Sequence, residues 1–147
     1  LGREKLANMP GLNEFTAAME KVFSAADPDG LALFAAFKSM PLAEDIPGRA
    51  MQLAASLREF RGSAHLIAIR AVGLTSKQAH YVKRPNDVKG FGWGEDDAPV
   101  VDDAVRALMV QAENLTDALC IPAYAVLNDA ERKALVDGAK AFESALK

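Results

Sequence analysis

The chain has 147 residues, half of them hydrophobic and a quarter charged, which is the balance of one soluble globular domain of ordinary size. No apolar run approaches the roughly 18 residues of a membrane-spanning helix, no signal-peptide pattern is present, and the single cysteine excludes an intramolecular disulfide. We therefore expect one cytoplasmic domain over residues 1–147. The start at Leu1 rather than Met suggests a piece of a longer, two-part protein.

The formal net charge of −3 is unevenly distributed along the chain. Residues 58–90 carry seven basic side chains against two acidic ones, a balance of +5. Residues 91–147 carry five basic side chains against eleven acidic ones, a balance of −6. A basic middle followed by an acidic C-terminal part raises the question of a polyanionic partner.

Helical signals mark the N-terminal third of the chain. Asn13 is a candidate cap for a helix on which apolar residues recur at a spacing of three and four, until "ADPDG" breaks the pattern. A second helix is expected from about Pro28 to Met40, because the residue before a proline disfavours the helical conformation. Pro47 suits the first turn of a third helix.

The middle of the chain predicts two more helices. Gly62 is expected to interrupt the third helix, Ser63 to cap the next segment and Gly73 to end it. Thr75 and Gln78 form the capping-box pattern of a short helix in "TSKQAHYVK". Residues 85–98 are rich in Gly, Pro, Asn and Asp, which indicates an irregular segment.

Two long helices are predicted in the C-terminal part. Pro99 is expected to open one that runs to Leu119, and Pro122 to restart the chain after it. Asn128 with Glu131 has the capping-box pattern of the last helix. Since alternating apolar residues are almost absent, the fold class is all-α, a compact orthogonal domain of seven or eight helices.

A family resemblance rests on residues 50–81, "AMQLAASLREFRGSAHLIAIRAVGLTSKQAH", on the Gly92–Trp93 turn and on "LTDAL…PAYAVL". In this order they resemble the C-terminal part of an actinobacterial helix-turn-helix-like family that includes SalK-like proteins. The resemblance covers roughly residues 20–147, and its motif carries no established chemistry. It implies a helix-turn-helix-like domain, here with the wing reduced or absent because the segment between Trp93 and the helix at 99–119 is too short for both a recognition helix and a wing.

Four residues are candidates for a small-molecule site. In the resembling stretch, Glu59 and Arg61 lie about a turn before His65, and Trp93 stands in the glycine-rich "KGFGWG". A histidine can act as a hydrogen-bonding or acid–base group, and an aromatic side chain on a loop can stack on a ligand. Each also has a structural alternative, His65 as a bonded core residue and Trp93 as an anchor for its loop. The leading hypothesis is a non-catalytic, regulatory binding module with a pocket near His65.

Nucleic-acid binding is the alternative hypothesis. Phosphate neutralisation by basic side chains supplies most non-specific affinity for DNA, and residues 75–89 form a basic segment. Its candidate contacts to DNA are Lys77, His80, Lys83, Arg84 and Lys89. In a helix-turn-helix the short helix at 75–83 would come first, with a reading helix after the Gly92–Trp93 turn. The acidic "EDDAPVVDD" at 95–103 opposes DNA by charge, although carboxylates also suit the start of a helix.

An auxiliary enzyme of secondary metabolism with His65 as acid–base is a third hypothesis, and the sequence favours a non-catalytic protein over it. The two histidines lie fifteen positions apart and no Cys stands near them, so the sequence predicts no metal site, and no cofactor motif is present. The apolar faces at 99–119 and 129–146 leave a homodimer open.

Overall fold

The computed structural model describes residues 2–147, except for the side chains of Lys89 and Glu95. Over these residues the chain forms α-helices and no β-strand: α1 (Gly2–Leu6), α2 (Leu12–Ala25), α3 (Ala32–Lys38), α4 (Ile46–Ala71), α5 (Ser76–Lys83), α6 (Asp103–Tyr124) and α7 (Asp129–Leu146). Two 3-10 helices, Pro85–Phe91 and Glu95–Asp97, occupy the segment between α5 and α6. The all-α fold class is confirmed, and no strand is present among the described residues to form a wing.

Within the described chain, none of the helices combines the length and the apolar character that crossing a membrane requires.

The chain divides into two compact units. The first contains the residues up to Ser63 together with Cys120–Lys147, and the second is Ala64–Leu119. Helices α4 and α6 each contribute residues to both. The prediction of a single domain stays a prediction.

Aromatic side chains build the core of the first unit. Phe34 is fully buried, and its ring lies 6.0 Å from that of Phe23 and 4.9 Å from that of Phe60 between centroids. Lys38, at the end of α3, donates a hydrogen bond of 3.0 Å to the carbonyl of Ser24 in the last turn of α2. A cation at that place satisfies a carbonyl that the helix itself leaves unpaired.

Helix α2 packs against α7 in the same unit. The rings of Phe15 and Phe142 lie 5.7 Å apart between centroids. A Cβ atom added at Gly138 would overlap the ring of Phe15, so this contact needs a residue without a side chain.

A separate apolar cluster forms the core of the second unit. Ile69 near the end of α4, Leu74 in the following turn and Ala79 on α5 are buried with Met109 and Ala112 of α6. This core fixes α5 by one apolar face and leaves Ser76, Lys83 and Arg84 exposed.

The predicted caps are confirmed where side-chain chemistry defines them. Thr75 and Gln78 form a capping box at the start of α5, and Asn128 and Glu131 form one at the start of α7. Pro47 lies in the first turn of α4, as predicted.

Two predicted interruptions are wrong. Gly62 and Ser63 lie inside α4, which runs without a break from Ile46 to Ala71. Pro122 lies inside α6 rather than restarting the chain. Buried residues lie beside each site, Phe60 and Ala64 around Gly62 and Cys120 and Ala123 around Pro122. Their packing stabilises the helix where local preference disfavours it.

Several predicted starts are shifted. Gly11, not Asn13, is the cap of α2, and α3 begins at Ala32 rather than near Pro28. Helix α6 begins at Asp103 instead of Pro99. The short α1 has no counterpart among the predicted helices.

Candidate nucleic-acid interface

A glycine turn joins α4 to α5. Gly73 has a φ of 89°, a left-handed conformation that is unfavourable for residues with a Cβ atom. The backbone N–H of Leu74 donates to the carbonyl of Ile69 at 3.0 Å, and that of Gly73 donates to the carbonyl of Arg70 at 3.2 Å. Together these bonds form a Schellman motif, with Leu74 and Ile69 buried in the same cluster. Gly73 therefore ends the helix, as its position in the sequence predicts.

The first turn of α5 is closed by its own side chains. The backbone N–H of Gln78 donates to the Thr75 hydroxyl at 3.1 Å, and the backbone N–H of Thr75 donates to the Gln78 amide oxygen at 3.0 Å. These reciprocal bonds use two donors that a helix start otherwise leaves unpaired. The direction in which α5 leaves the turn is thus fixed by local hydrogen bonds and by the buried Leu74.

Four residues, 72–75, separate the last residue of α4 from the first of α5. A turn of three or four residues that contains glycine is the connection typical of a helix-turn-helix. Helix α5 is then the second helix of the pair. Sequence reasoning treated it as the first and expected another helix after Gly92–Trp93, whereas residues 85–97 form the two 3-10 helices. A glycine stop followed within two residues by a capping box is the signal that could have identified the pair.

Carboxylates accompany two of the five basic candidates. The Lys77 ammonium lies 3.4 Å from Asp97, and the Lys83 ammonium lies 2.6 Å from Glu113 on α6. Arg84 follows α5 and is exposed, whereas His80 is half-buried. The side chain of Lys89, the fifth candidate, lies outside the described residues.

Asp97 is held in its ionised form. The backbone N–H of Gly94 donates to its carboxylate at 3.0 Å. This bond, together with the hydrogen bond and charge of Lys77, keeps the pKa of Asp97 below its ordinary value. Sequence reasoning interpreted the acidic run as repulsive to DNA or as the acidic start of a helix. The structure shows that Asp97 compensates a lysine of α5.

Another member of the acidic run starts a helix. The carboxylate of Asp102 accepts a hydrogen bond of 2.9 Å from the backbone N–H of Val105, three residues along the chain in the first turn of α6. This is the geometry of an N-cap, and an acidic side chain there also suits the helix dipole.

His65 bonds to a buried threonine. Its Nδ1 lies 2.8 Å from the hydroxyl oxygen of Thr116, and that hydroxyl donates its own proton to the carbonyl of Ala112 at 2.7 Å. Because a hydroxyl has a single proton, Nδ1 of His65 is the donor in the first bond. One ring nitrogen of His65 therefore fastens α4 to α6 within the second unit, in line with the structural alternative for this residue.

Glu59 and Arg61 belong to the first unit, whereas His65 and Trp93 belong to the second. Glu59 accepts a hydrogen bond from the neighbouring Arg58. Burial raises the pKa of the Tyr124 phenol, and the positive charge of Arg61 partly opposes this effect. The role of these four residues in a ligand site stays a prediction.

Trp93 lies in a set of aromatic rings. Its ring is stacked on Phe91 at 5.0 Å and on Tyr81 at 6.0 Å between centroids, and the Lys77 ammonium lies 5.4 Å from its centroid. The ring of His80 meets Trp93 edge-on at 5.8 Å. Phe91, the other aromatic residue of "KGFGWG", is also a member of this set, although sequence reasoning counted only Trp93 among the candidate site residues.

No group of three or more His, Cys, Asp or Glu within the described part of the chain is arranged to hold a metal ion.

Residues 1–96 match a family model described as a helix-turn-helix family. The match covers about two thirds of the chain and includes the whole α4–turn–α5 pair. No curated protein and no solved structure matches the chain. The helix-turn-helix part of the resemblance is thus confirmed, and the narrower one to actinobacterial SalK-like proteins stays a prediction.

Proposed function

Because the chain belongs to the helix-turn-helix family, we propose that it is a DNA-binding regulatory protein that presents α5 to the double helix. The observation that carries the proposal is the four-residue glycine turn between α4 and α5, which lies inside the matched region. The proposal takes up the alternative that the sequence analysis placed second. The binding module with a pocket near His65 stays a prediction.

The exposed side of α5 supplies groups suited to DNA. In helix-turn-helix proteins the N-terminal residues of the second helix contact base edges in the major groove. Ser76 is exposed at that end of α5 and carries a hydroxyl that donates and accepts. Lys83 and Arg84 are exposed at the other end, where they can neutralise phosphates.

The ion pairs of α5 do not prevent such contacts. Lys83 is about half exposed and Lys77 about one third exposed, so solvent screens both pairs. Exposed pairs of this kind stabilise a protein by about 0–1 kcal/mol. A phosphate can therefore replace Asp97 or Glu113 as the partner of either lysine at little cost. Since the whole chain is acidic, binding then depends on these few cations and on low ionic strength.

A charge-reversal experiment tests the proposal. Binding of the purified protein to a fluorescently labelled random-sequence duplex is measured by anisotropy from about 20 to 200 mM salt, a range over which phosphate contacts weaken strongly. We expect binding at low salt, with the logarithm of the association constant falling by about 0.9 per phosphate contacted for each unit of log salt. The double change Lys83→Glu and Arg84→Glu should reduce affinity at least tenfold.

The matched control reverses two cations of α7. Arg132 and Lys140 are exposed in the first unit, and changing both to Glu alters the net charge by the same amount. Equal loss of binding in both double variants would mean that net charge alone is at work and would contradict a role for α5. Absence of any duplex binding at the lowest salt would remove the proposal. Selection of bound duplexes from the random pool then shows whether the protein reads sequence, as a regulator must.

A further inference from the structure

Three near-parallel rings form an aromatic stack, defined here as Tyr81, Trp93 and Phe91. The planes of Phe91 and Trp93 are inclined by 20°, and those of Trp93 and Tyr81 by 21°. Gly92, with a φ of 72°, makes the turn that brings the rings of its two neighbours to the same side. Trp93 is therefore the middle ring, and Phe91 and Tyr81 are the ends.

Phe91 leaves one end of the stack open. Its side chain is 57% exposed although one face lies on Trp93 and His80 meets it edge-on, with centroids 4.4 Å apart. The exposure therefore belongs to the opposite face. A phenylalanine with one face on a tryptophan and the other in water is a ready platform for a further flat ring.

The stack is held in place from its other end. The Tyr81 hydroxyl donates to the carbonyl of Gly94 at 3.3 Å, and Asp97 binds both the N–H of Gly94 and the Lys77 ammonium. The platform is thus tied to α5 before any ligand arrives. Preorganised rings lose less conformational freedom on binding, which favours affinity.

One polar atom beside the platform has no partner within the described chain. Nε2 of His80 is buried next to the Phe91 ring and makes no hydrogen bond there. A buried polar atom without a partner is costly, and a ligand whose ring edge carries nitrogen or an amino group can supply one once its binding shifts the His80 or Phe91 side chain enough to uncover Nε2. A hydrocarbon ring cannot, so the site favours heteroaromatic rings.

From these observations we propose that the outer face of Phe91 binds a planar heteroaromatic ring of nucleobase size. The ring continues the aromatic stack, and its polar edge faces His80. Such a ring has two sources, a free nucleoside or an unpaired base in a single strand. The inference does not depend on duplex binding by α5, because the bases of a duplex keep their faces stacked on one another.

The sole tryptophan of the chain reports on this site. The Trp93 ring is stacked on Phe91, so a base stacked on the other face of Phe91 should quench or shift the fluorescence of Trp93. The probes are adenosine, a short single-stranded oligo(dA), and ribose 5-phosphate as the compound without a base. Response to adenosine and oligo(dA) means that a free ring suffices, and response to oligo(dA) alone identifies a base within a strand. Response to neither, or an equal response to ribose 5-phosphate, overturns the proposal.

Variants of Phe91 separate stacking from general apolar contact. Phe91→Leu keeps an apolar side chain without a ring and should weaken binding roughly tenfold or more, since one stacked base depends strongly on its aromatic partner. Phe91→Tyr keeps the ring and should retain affinity. Val100→Ala removes apolar surface from a residue that is 74% exposed, and it should bind as the unaltered protein does.

Equilibrium dialysis with labelled adenosine or oligo(dA) gives a second readout that is independent of Trp93 emission. Because Phe91 is more than half exposed, its variants should keep the far-ultraviolet circular dichroism and melting temperature of the parent. Unchanged binding by folded Phe91→Leu would overturn the proposal. Failure of the duplex assay with α5 variants would leave this result unaffected, so the two proposals can fail separately.

Discussion

On α7, the ring of Phe15 lies where a side chain at Gly138 would begin. Glycine in a helix costs about 0.5–1 kcal/mol relative to alanine, and here the close packing of α2 on α7 is the reason to keep it. Gly62 on α4 is the opposite case, because a Cβ there would meet no atom within 4 Å. The same residue type thus has opposite consequences at two helical positions.

Substitution of these two glycines by alanine gives a matched prediction. Gly138→Ala should destabilise the protein by about 1–3 kcal/mol, because it forces Phe15 or the helix to move. Gly62→Ala should stabilise it by about 0.5–1 kcal/mol, since it adds helix preference without a clash. Urea unfolding measures both. Similar stability of the two variants would be inconsistent with the close contact between α2 and α7.

Tyr124 provides a prediction about alkaline pH. Burial raises the pKa of its phenol, with a further raising effect from Cys120 that Arg61 opposes. Because the folded state has the higher pKa, the unfolded chain gives up this proton more readily. This contribution to the stability of the fold is therefore fully present below the ordinary pKa of about 10 and falls as pH rises through the folded pKa. Ultraviolet titration should therefore show a late tyrosinate component that Tyr124→Phe removes. Ionisation of Tyr124 at or below its ordinary pKa would contradict its burial.

At the scale of elements, the helix starts marked by a capping box were predictable, whereas the continuity of helix interiors was not. Thr75 with Gln78 and Asn128 with Glu131 could be found from sequence because a cap is a short-range bond between a side chain and a nearby backbone N–H. The continuity of α4 through Gly62 could not be found from the sequence. It depends on the burial of Phe60 and Ala64, and Phe60 packs against Phe34, which is distant in sequence.

Pro122 illustrates the same limit. A proline removes one helical hydrogen bond and crowds the preceding turn, so the sequence predicted a break there. The structure places it in the last turn of α6, between buried Cys120 and Ala123. Only two helical residues follow Pro122, so a kink there displaces little of the helix, and the buried neighbours keep the segment packed.

The turn between α4 and α5 yields a prediction for the proposed DNA-binding pair. Gly73→Ala places a side chain on a backbone with a φ of 89° and should cost roughly 1–2 kcal/mol. Amide exchange in α5 should accelerate, and duplex affinity should fall because the orientation of α5 changes. Gly90→Ala is the control, since its backbone does not have a positive φ and a Cβ there meets no atom within 4 Å. Equal effects of both changes would argue against a special role for the turn.

At the scale of the whole molecule, the charge pattern along the chain and the charge pattern in space differ. Sequence separated a basic segment at 58–90 from an acidic one at 91–147. Folding pairs members of the two, Lys77 with Asp97 and Lys83 with Glu113. Such pairs join residues 20 and 30 positions apart, so no local pattern identifies them. The acidic run is therefore partly a set of counter-ions to α5, which the sequence alone presented as an obstacle to DNA.

If α5 binds DNA, these counter-ions compete with phosphates for the same lysines. Asp97→Asn with Glu113→Gln should release Lys77 and Lys83, raise duplex affinity about three- to tenfold at low salt and steepen the salt dependence by up to one unit per lysine freed. Asparagine retains the oxygen that accepts the N–H of Gly94, so the local turn is preserved. Anisotropy titrations at several salt concentrations measure both quantities.

The control for this last prediction removes two acidic charges elsewhere. Asp129 pairs with Arg132 and Glu143 pairs with Lys147, both within α7 or at its end. Asp129→Asn with Glu143→Gln changes the net charge of the protein by the same two units. If affinity depends on freeing the α5 lysines, this variant should gain little and keep the parental salt slope, because it leaves the ion pairs of Lys77 and Lys83 intact. An equal gain in both double variants would show that overall repulsion, rather than competition for Lys77 and Lys83, limits binding.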